Sequence, residues 1–239
     1  DVSTTMTIKK NKEGNVYLIP LSAIKEAEKR LAKLLRTRIK VSPYTPVSIV
    51  RSILKKRQAL LALASKYPTP FYVFDRQELT GSIDAFEQAL KKNIPRSRVF
   101  YAVKTNHYPE VLAAVHAKGF GFDVSSIREM RLCQKIGAGH MVFSGPGKTI
   151  DNLRVASKYH RTITILLDSL GELKRLGAIS PPRGAQIRAG VRIHGNNAGG
   201  WEKFGIPLSE LKSFWNTARA YPSIKLMGIQ FHRSHNASA

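Results

Sequence analysis

Short apolar segments recur at nearly regular intervals through the second half of the chain, with helical patterns between them. The first four begin near residues 98, 120, 141 and 162, at spacings of 22, 21 and 21 residues. Strands that alternate with helices at the length of one β-α unit indicate a parallel sheet in an α/β protein. The expected strands are 98–103, 120–124, 141–143, 162–167, 187–193 and 225–231.

A lysine follows the first of these strands. Residues 98–103 are mostly apolar and partly β-branched, and Lys104 stands directly behind them. An unpaired ammonium is costly to bury. Burial therefore lowers the pKa of a lysine. The neutral amine that results is the form that makes Schiff bases with carbonyl compounds. The same lysine can instead extend its ammonium from the strand end into water. Its position alone leaves both interpretations open.

The strand spacing and this lysine together favour a (β/α) barrel over an open doubly wound sheet. Barrel enzymes carry their functional residues at the carboxyl ends of the strands, which is where Lys104 is expected. An open sheet more typically has a glycine-rich first turn, and the sequence shows no such turn.

The segment FYAVKTN at residues 100–106 closely resembles the cofactor-lysine motif of the pyridoxal-phosphate-dependent decarboxylases that act on diaminopimelate, ornithine or arginine. Further matches follow in the order of that family, over roughly residues 67 to 239. They are GFDVSS at 121–126 with Glu129, FSGPGKT at 143–149, VRI at 191–193, KFGI at 203–206 and GIQFH at 228–232. The resemblance implies an α/β fold of the (β/α)8 TIM-barrel type, like that of alanine racemase.

The resemblance also implies a cofactor, pyridoxal 5'-phosphate, and assigns residues to it. Lys104 corresponds to the catalytic lysine that bonds covalently to the cofactor. The other implied cofactor-binding residues are Asp123 near the lysine, Arg192 inside the site, His232 on the ring face and Ser234 at the phosphate. Glu129 corresponds to a glutamate that contacts substrate or supports the site. From the residues alone, Asp123 can equally cap the next helix, and Glu129 can be a solvated helix residue.

The chain departs from the family in two respects. The family pattern after the ring-stacking histidine is His-x-Gly-Ser, whereas this chain has His232, Arg233, Ser234 and His235, which leaves the register of Ser234 open. The family also continues through a glycine-rich phosphate loop, a Glu-Pro-Gly-Arg segment and a β-domain, and none of these is found in residues 1–239. We therefore expect an incomplete barrel with six of the eight strands, and as partner either a second copy in a homodimer or a chain that completes the barrel.

The segment before the barrel predicts a basic helical extension. We expect a polar, mobile lead-in over residues 1–20 with one extended piece at 16–19, then helices over 23–38, capped by Ser22, and 47–66. A short strand is expected at 71–74, and Asp75 with Glu78 predicts the start of the next helix. The predicted domains are 1–66, a basic helical extension, and 67–239, the cofactor-binding barrel domain.

The charge of the chain is unusual. It has 39 Lys and Arg against 16 Asp and Glu, which gives a formal net charge of +23. Such an excess raises nucleic-acid binding as a hypothesis, but it is spread along the chain, with 15 basic and 4 acidic residues in 1–66 and 24 and 12 in 67–239. No nucleic-acid-binding motif accompanies it. A solvated basic surface is therefore favoured over a nucleic-acid partner.

Cysteine content and hydropathy point to a cytoplasmic protein. Cys133 is the only cysteine, so no intrachain disulfide can form, as is typical of a reducing compartment. No apolar run has the length of a membrane span, and the histidines lack metal-ligand spacing. We expect no membrane partner and no metal.

The leading functional hypothesis is pyridoxal-phosphate-dependent decarboxylation of a basic or diamino acid, most like diaminopimelate decarboxylase of the lysine-biosynthesis type. Two alternatives stay open. One is another barrel enzyme with the same cofactor, such as a racemase or a decarboxylase of a specialised pathway. The other is a catalytically inactive, decarboxylase-like binding protein.

Overall fold

The structure is a computed structural model that describes residues 6–10, 16–20, 25–26, 29–30, 33, 46–182, 184–194 and 203–232. It divides into two compact units, Asp1–Val73 and Phe74–Ala239. The sequence predicts a domain boundary after residue 66, and the assignment of a function to each domain stays a prediction.

The first unit begins with a β-hairpin. Strand β1, Met6–Lys10, pairs antiparallel with strand β2, Val16–Pro20. The expected extended piece at 16–19 is therefore present, but the expectation of a single strand in this lead-in is wrong. The pairing involves the backbones of two segments, and neither segment alone carries an apolar pattern that reveals it.

Two helices follow in the first unit where one was expected over 47–66. Helix α1 is Pro46–Lys55 and helix α2 is Arg57–Lys66. They are separated at Lys56, whose amide donates to the carbonyl of Ile53 at 3.0 Å, three residues back, in place of the usual four. Of the predicted helix 23–38, residues 25, 26, 29, 30 and 33 are helical, and the rest, with Ser22, lies outside the described residues.

Residues 71–74 form no strand, which corrects the sequence expectation. Tyr72 and Val73 are exposed, and none of the described strands pairs with this segment. An extended segment becomes a strand only when its backbone groups find a partner strand. The apolar composition of the segment does not indicate whether such a partner strand is present.

The second unit is a parallel α/β structure. Its strands are β3 Phe100–Ala102, β4 Gly121–Val124, β5 Met141–Phe143, β6 Ile163–Leu167, β7 Ile187–His194, β8 Ile206–Pro207 and β9 Ile224–Gln230. Its helices are α3 Arg76–Asn93, α4 Pro109–Ala117, α5 Ile127–Lys135, α6 Ile150–Ser157, α7 Leu170–Gly177 and α8 Leu211–Ala218. No helix in the described part of the chain is long and apolar enough to cross a membrane.

The sheet runs in the order β3-β4-β5-β6-β7, and every pairing is parallel. On its other side β7 pairs with β9 from Ile187 to Arg192 and with the short β8 at Ile193 and His194. The six strands expected from the spacing are confirmed, with ends that differ by up to two residues. The two-residue β8 was not expected, because a pairing that short leaves no periodic pattern.

The core lies between the sheet and its helices. Along β6 the burial alternates, with Ile163, Ile165 and Leu167 fully buried and the residues between them half-buried, as the period of two in a strand requires. The helices contribute fully buried apolar side chains that face the sheet. They include Leu112, Val115, Met130, Leu153, Leu173 and Leu176.

Capping side chains start four of the helices, and three of these helices follow a strand of the sheet. Asp75 accepts a hydrogen bond from the amide of Glu78 and begins α3, as predicted. Ser126, Thr149 and Ser169 do the same for α5, α6 and α7, by accepting from the amides of the residues three positions on. The loops at this edge of the sheet are therefore short, and the side chains they carry have fixed positions.

Replacing Phe122 by Ala tests the core. The side chain is fully buried in β4, so its loss leaves a cavity and should lower the free energy of unfolding by about 3–5 kcal/mol. The matched control is Phe86→Ala on α3, where the ring is half-exposed, and its effect should stay below about 1 kcal/mol. Urea denaturation measures both. Equal losses of unfolding free energy would mean that the buried Phe122 ring contributes no more to stability than the half-exposed Phe86 ring.

Candidate functional site

The carboxyl ends of the parallel strands bring several charged side chains together. Lys104 follows β3, Asp123 lies in β4 and Arg192 lies in β7. The charges of Lys104, Arg192 and Lys148 all lower the pKa of the Asp123 carboxyl. One carboxylate thus shares its surroundings with three cations, and two of these were expected at the site.

Lys104 is exposed, unlike the buried lysine that one interpretation of the sequence requires. The chain leaves β3 after Ala102 and forms a single 3-10 turn, Val103–Thr105, in which Val103 takes the fully buried position. Within the described residues the Lys104 amine makes no hydrogen bond or ion pair, and its charge acts on the carboxylate of Asp123. Its amine is therefore accessible to a ligand.

Asp123 is half-buried and is held by Ser144, whose hydroxyl donates to Oδ1 of the carboxylate. Burial raises the pKa of Asp123, and the Ser144 hydrogen bond and the three cations oppose that rise. Gly145 allows the β5–α6 loop to pass close to the backbone of Ser125, because a Cβ at position 145 would lie 2.1 Å from the carbonyl oxygen of Ser125. The loop that carries Ser144 thus requires this glycine.

Arg192 is held by an acidic residue that the sequence interpretation missed. Its guanidinium NH1 lies 3.4 Å from Oδ1 of Asp168, and the two side chains are only 14% and 11% exposed. On another side, the guanidinium lies 4.9 Å from the centre of the Phe204 ring, within the range of a cation–π interaction. Asp168 directly follows the buried strand β6, and that position could have identified it.

The KFGI segment is explained by its glycine. Gly205 has φ +87°, a conformation that other residues rarely adopt. A Cβ at this position would also lie 2.8 Å from the carbonyl oxygen of Arg192. Glycine therefore lets the chain pass close to Arg192 and place the Phe204 ring beside it.

A second missed feature is a buried ion pair. Nζ of Lys148 lies 3.1 Å from Oε2 of Glu172, and each side chain is 1% exposed. Nζ also donates to the carbonyl of Leu166 at 2.6 Å. Burial lowers the pKa of Lys148, and the carboxylate of Glu172 opposes this. Lys148 lies inside the FSGPGKT segment, but the sequence alone gave no sign that it is buried or what pairs with it.

Glu129 has a clear local role. Its carboxylate accepts a hydrogen bond from the amide of Ser125 at 2.8 Å, and its own amide donates to the hydroxyl of Ser126 at 3.2 Å. These two hydrogen bonds fix the turn between β4 and α5, next to Asp123. A direct contact of Glu129 with substrate or cofactor stays a prediction.

The remaining predicted residues are placed less fully. His232 is exposed and lies two residues beyond β9, and Ser234 lies outside the described residues. Cys133 is buried in α5, where burial and the nearby Glu129 raise the pKa of its thiol to about 12. Its thiolate is therefore not available for chemistry.

The side chains at this edge fit a cofactor that carries an aldehyde and an anionic group. Lys104 presents an accessible primary amine, which an aldehyde requires, and Arg192 supplies a cation. Within the described residues, the buried atoms Oε1 of Gln230 and Nδ1 of His194, near the ends of β9 and β7, have no hydrogen-bond partner. Such atoms leave hydrogen-bonding capacity for a ligand.

Comparisons with known proteins agree with this fit. The family model for the pyridoxal-dependent decarboxylases, pyridoxal binding domain, matches residues 80–238. A lysine/ornithine decarboxylase of Selenomonas ruminantium is 31% identical in an alignment of 176 residues that covers 71% of this chain and 42% of that protein. A diaminopimelate decarboxylase of Zymomonas mobilis subsp. mobilis is 31% identical in an alignment of 183 residues that covers 71% of this chain and 43% of the relative. The chain thus spans less than half the length of these curated relatives.

The solved structures show the same fold. Diaminopimelate decarboxylase from Helicobacter pylori, in complex with L-lysine, has a TM-score of 0.64 and 25% identity, over 72% of this chain and 46% of that one. The prediction of an alanine-racemase-like barrel, of which this chain holds a part, is confirmed. The chain belongs to the pyridoxal-dependent decarboxylase family, whose model of the pyridoxal binding domain matches residues 80–238.

Proposed function

We propose that the protein takes part in the decarboxylation of a basic or diamino acid, with diaminopimelate as the leading substrate. The observation that carries this proposal is the accessible amine of Lys104, electrostatically coupled to the half-buried carboxylate of Asp123 at the carboxyl edge of the sheet. When bound, pyridoxal phosphate accepts the electron pair that remains when a carboxylate leaves an amino acid as carbon dioxide.

The residues of this chain would hold the cofactor and orient it. Lys104 supplies the amine that bonds to the aldehyde carbon, and His232 supplies a ring to stack on the cofactor. Arg192 and Asp123 supply opposite charges at the same edge of the sheet. Ser234 is the proposed phosphate contact. Glu129 supports the site through the turn that it caps.

The substrate class is supported by what the relatives act on. The relative from Selenomonas ruminantium is named a lysine/ornithine decarboxylase, and the one from Zymomonas mobilis a diaminopimelate decarboxylase. Each of these substrates carries an amino group at both ends of its chain, and the Helicobacter pylori enzyme was solved with L-lysine. A diamino or basic amino acid is therefore the substrate class that we propose.

We also propose the assembly and the location of the protein. A second copy, in a homodimer, or another chain would complete the site, with residues 67–239 as the cofactor-binding domain and 1–66 as a basic extension. Cys133 is a free, buried thiol, which is compatible with a reducing cytoplasm.

Trapping the cofactor tests the role of Lys104. Borohydride reduction of the protein with pyridoxal phosphate, followed by peptide mass spectrometry, should find the label on Lys104. Lys104→Arg should abolish that label, because a guanidinium stays protonated and cannot form the imine. The matched control is Lys118→Arg, at a lysine that pairs with Asp84 on the surface, and it should leave the label unchanged.

Two outcomes would contradict the proposal in different ways. A label spread over many surface lysines, unaffected by Lys104→Arg, would remove the specific site. A label confined to Lys104 without release of carbon dioxide from diaminopimelate, lysine, ornithine or arginine would favour the inactive binding protein.

Replacing Ser144 by Ala tests the electrostatics of Asp123. The lost hydrogen bond should raise the pKa of Asp123 further, because that bond stabilises the charged form. Carbon-13 NMR titration of the Asp123 carboxyl measures the shift. Ser126→Ala is the control, since the Ser126 hydroxyl accepts from the Glu129 amide instead. This variant should leave the pKa of Asp123 unchanged.

The same pair of variants makes a prediction for stability. A carboxyl whose pKa is higher in the folded state stabilises the protein below its unfolded pKa of about 3.9. That contribution is lost as the pH rises through the folded pKa. Ser144→Ala should therefore enlarge the fall in unfolding free energy between acidic and neutral pH. An unchanged pH dependence would mean that Ser144 does not act on Asp123.

A further inference from the structure

The buried pair of Lys148 and Glu172 lies next to the candidate site without being part of it. Both side chains are 1% exposed, and neither has a role in the proposed reaction. An ion pair in a core pays a desolvation penalty that its attraction often only balances, so apolar residues of similar volume would frequently be as stable. Global stability is therefore a poor explanation for the pair.

Glu172 joins the two loops that follow β5 and β6. Oε1 accepts the backbone amide of Lys148 at 2.8 Å, in the loop after β5. Oε2 accepts the backbone amide of Asp168 at 2.9 Å, in the loop after β6, together with Nζ of Lys148. One buried carboxylate thus fixes the backbone at two loops of the site.

The contact with Asp168 leads directly to Arg192. The Asp168 amide is held by Glu172, and the Asp168 carboxylate holds the Arg192 guanidinium. Arg192 in turn acts on the charge of Asp123. Nζ of Lys148 balances the charge of Glu172 in this dry environment and is itself held by the Leu166 carbonyl.

We propose that Glu172 is a positioning residue: it fixes Asp168 so that the Asp168 carboxylate keeps Arg192 in place at the cofactor site, while Lys148 compensates its charge. The inference rests on the proposed function for the part that concerns the cofactor. The position of Arg192 itself can be tested without any ligand.

The ligand-free test follows the Nε–H resonance of Arg192 by nitrogen-15 NMR, assigned through its loss in Arg192→Gln. Glu172→Gln and Asp168→Asn should both shift this resonance, because each breaks the connection to Arg192. The control Asp151→Asn removes an exposed ion pair with Arg154 on α6 and should leave it unchanged. An Arg192 resonance that does not move in Glu172→Gln would overturn the inference.

The second test measures the affinity for pyridoxal phosphate by absorbance titration of the purified protein. Glu172→Gln should weaken binding about tenfold, the effect of one charge-assisted contact. In the double variant with Arg192→Gln, Glu172→Gln should add nothing further, because its effect passes through Arg192. Additive losses would overturn the inference and assign Glu172 a separate role.

A charge-free variant separates positioning from folding. Lys148→Met combined with Glu172→Leu removes both charges and leaves neither unpaired, so its melting temperature should exceed that of Glu172→Gln. Its cofactor affinity should stay low, since the Asp168 amide has lost its hydrogen bond to Glu172. Recovery of the affinity together with the melting temperature would show that the pair is structural only and overturn the inference.

The two proposals fail differently. If the unmodified protein shows neither saturable cofactor binding nor labelling of Lys104, the proposed function fails, and the Arg192 resonance still decides whether Glu172 positions Arg192. If it binds and is labelled while the resonance stays fixed in Glu172→Gln, the inference alone fails.

Discussion

Parallel strand pairing is the constraint on which the rest of this structure depends. Because β3, β4, β5, β6, β7 and β9 all run in one direction, their carboxyl ends meet at a single edge. Hydroxyl side chains cap α5, α6 and α7, so that each of these helices begins after a short loop from the preceding strand. Residues separated by up to about ninety positions, such as Lys104 and Arg192, thereby come under the influence of one carboxylate. No single segment could assemble such a site.

Burial is the largest influence on the pKa of the Asp123 carboxyl. Three cations and a hydrogen bond from Ser144 act to keep Asp123 charged, and burial nevertheless raises its pKa. An acid in this state destabilises the folded protein at neutral pH relative to acidic pH. Perturbed acids of this kind, among convergent charges, are typical of functional sites. The arrangement makes physical sense when a bound ligand, rather than water, completes the surroundings of Lys104 and Arg192.

The sequence predicted features that depend on local pattern and missed those that depend on pairing. The spacing of apolar runs located six strands, and Asp75 correctly marked the start of α3. The hairpin strand Met6–Lys10, the short β8 and the lack of a partner for residues 71–74 all depend on a second segment. Lys104 was placed correctly along the chain. The sequence left open whether Lys104 is buried or extends into water, and the structure shows it exposed, in the 3-10 turn Val103–Thr105 that follows the strand.

The FSGPGKT segment shows how a motif can record the requirements of a loop as well as those of a ligand. Ser144 holds Asp123, and Gly145 permits the close approach to Ser125. Lys148 enters the buried pair, and Thr149 caps α6. In this structure all four residues act on the protein itself. A match to such a motif therefore indicates that the loop is built in the same way, and it supports the function only because that loop sets the position of Asp123, which shares its surroundings with Lys104.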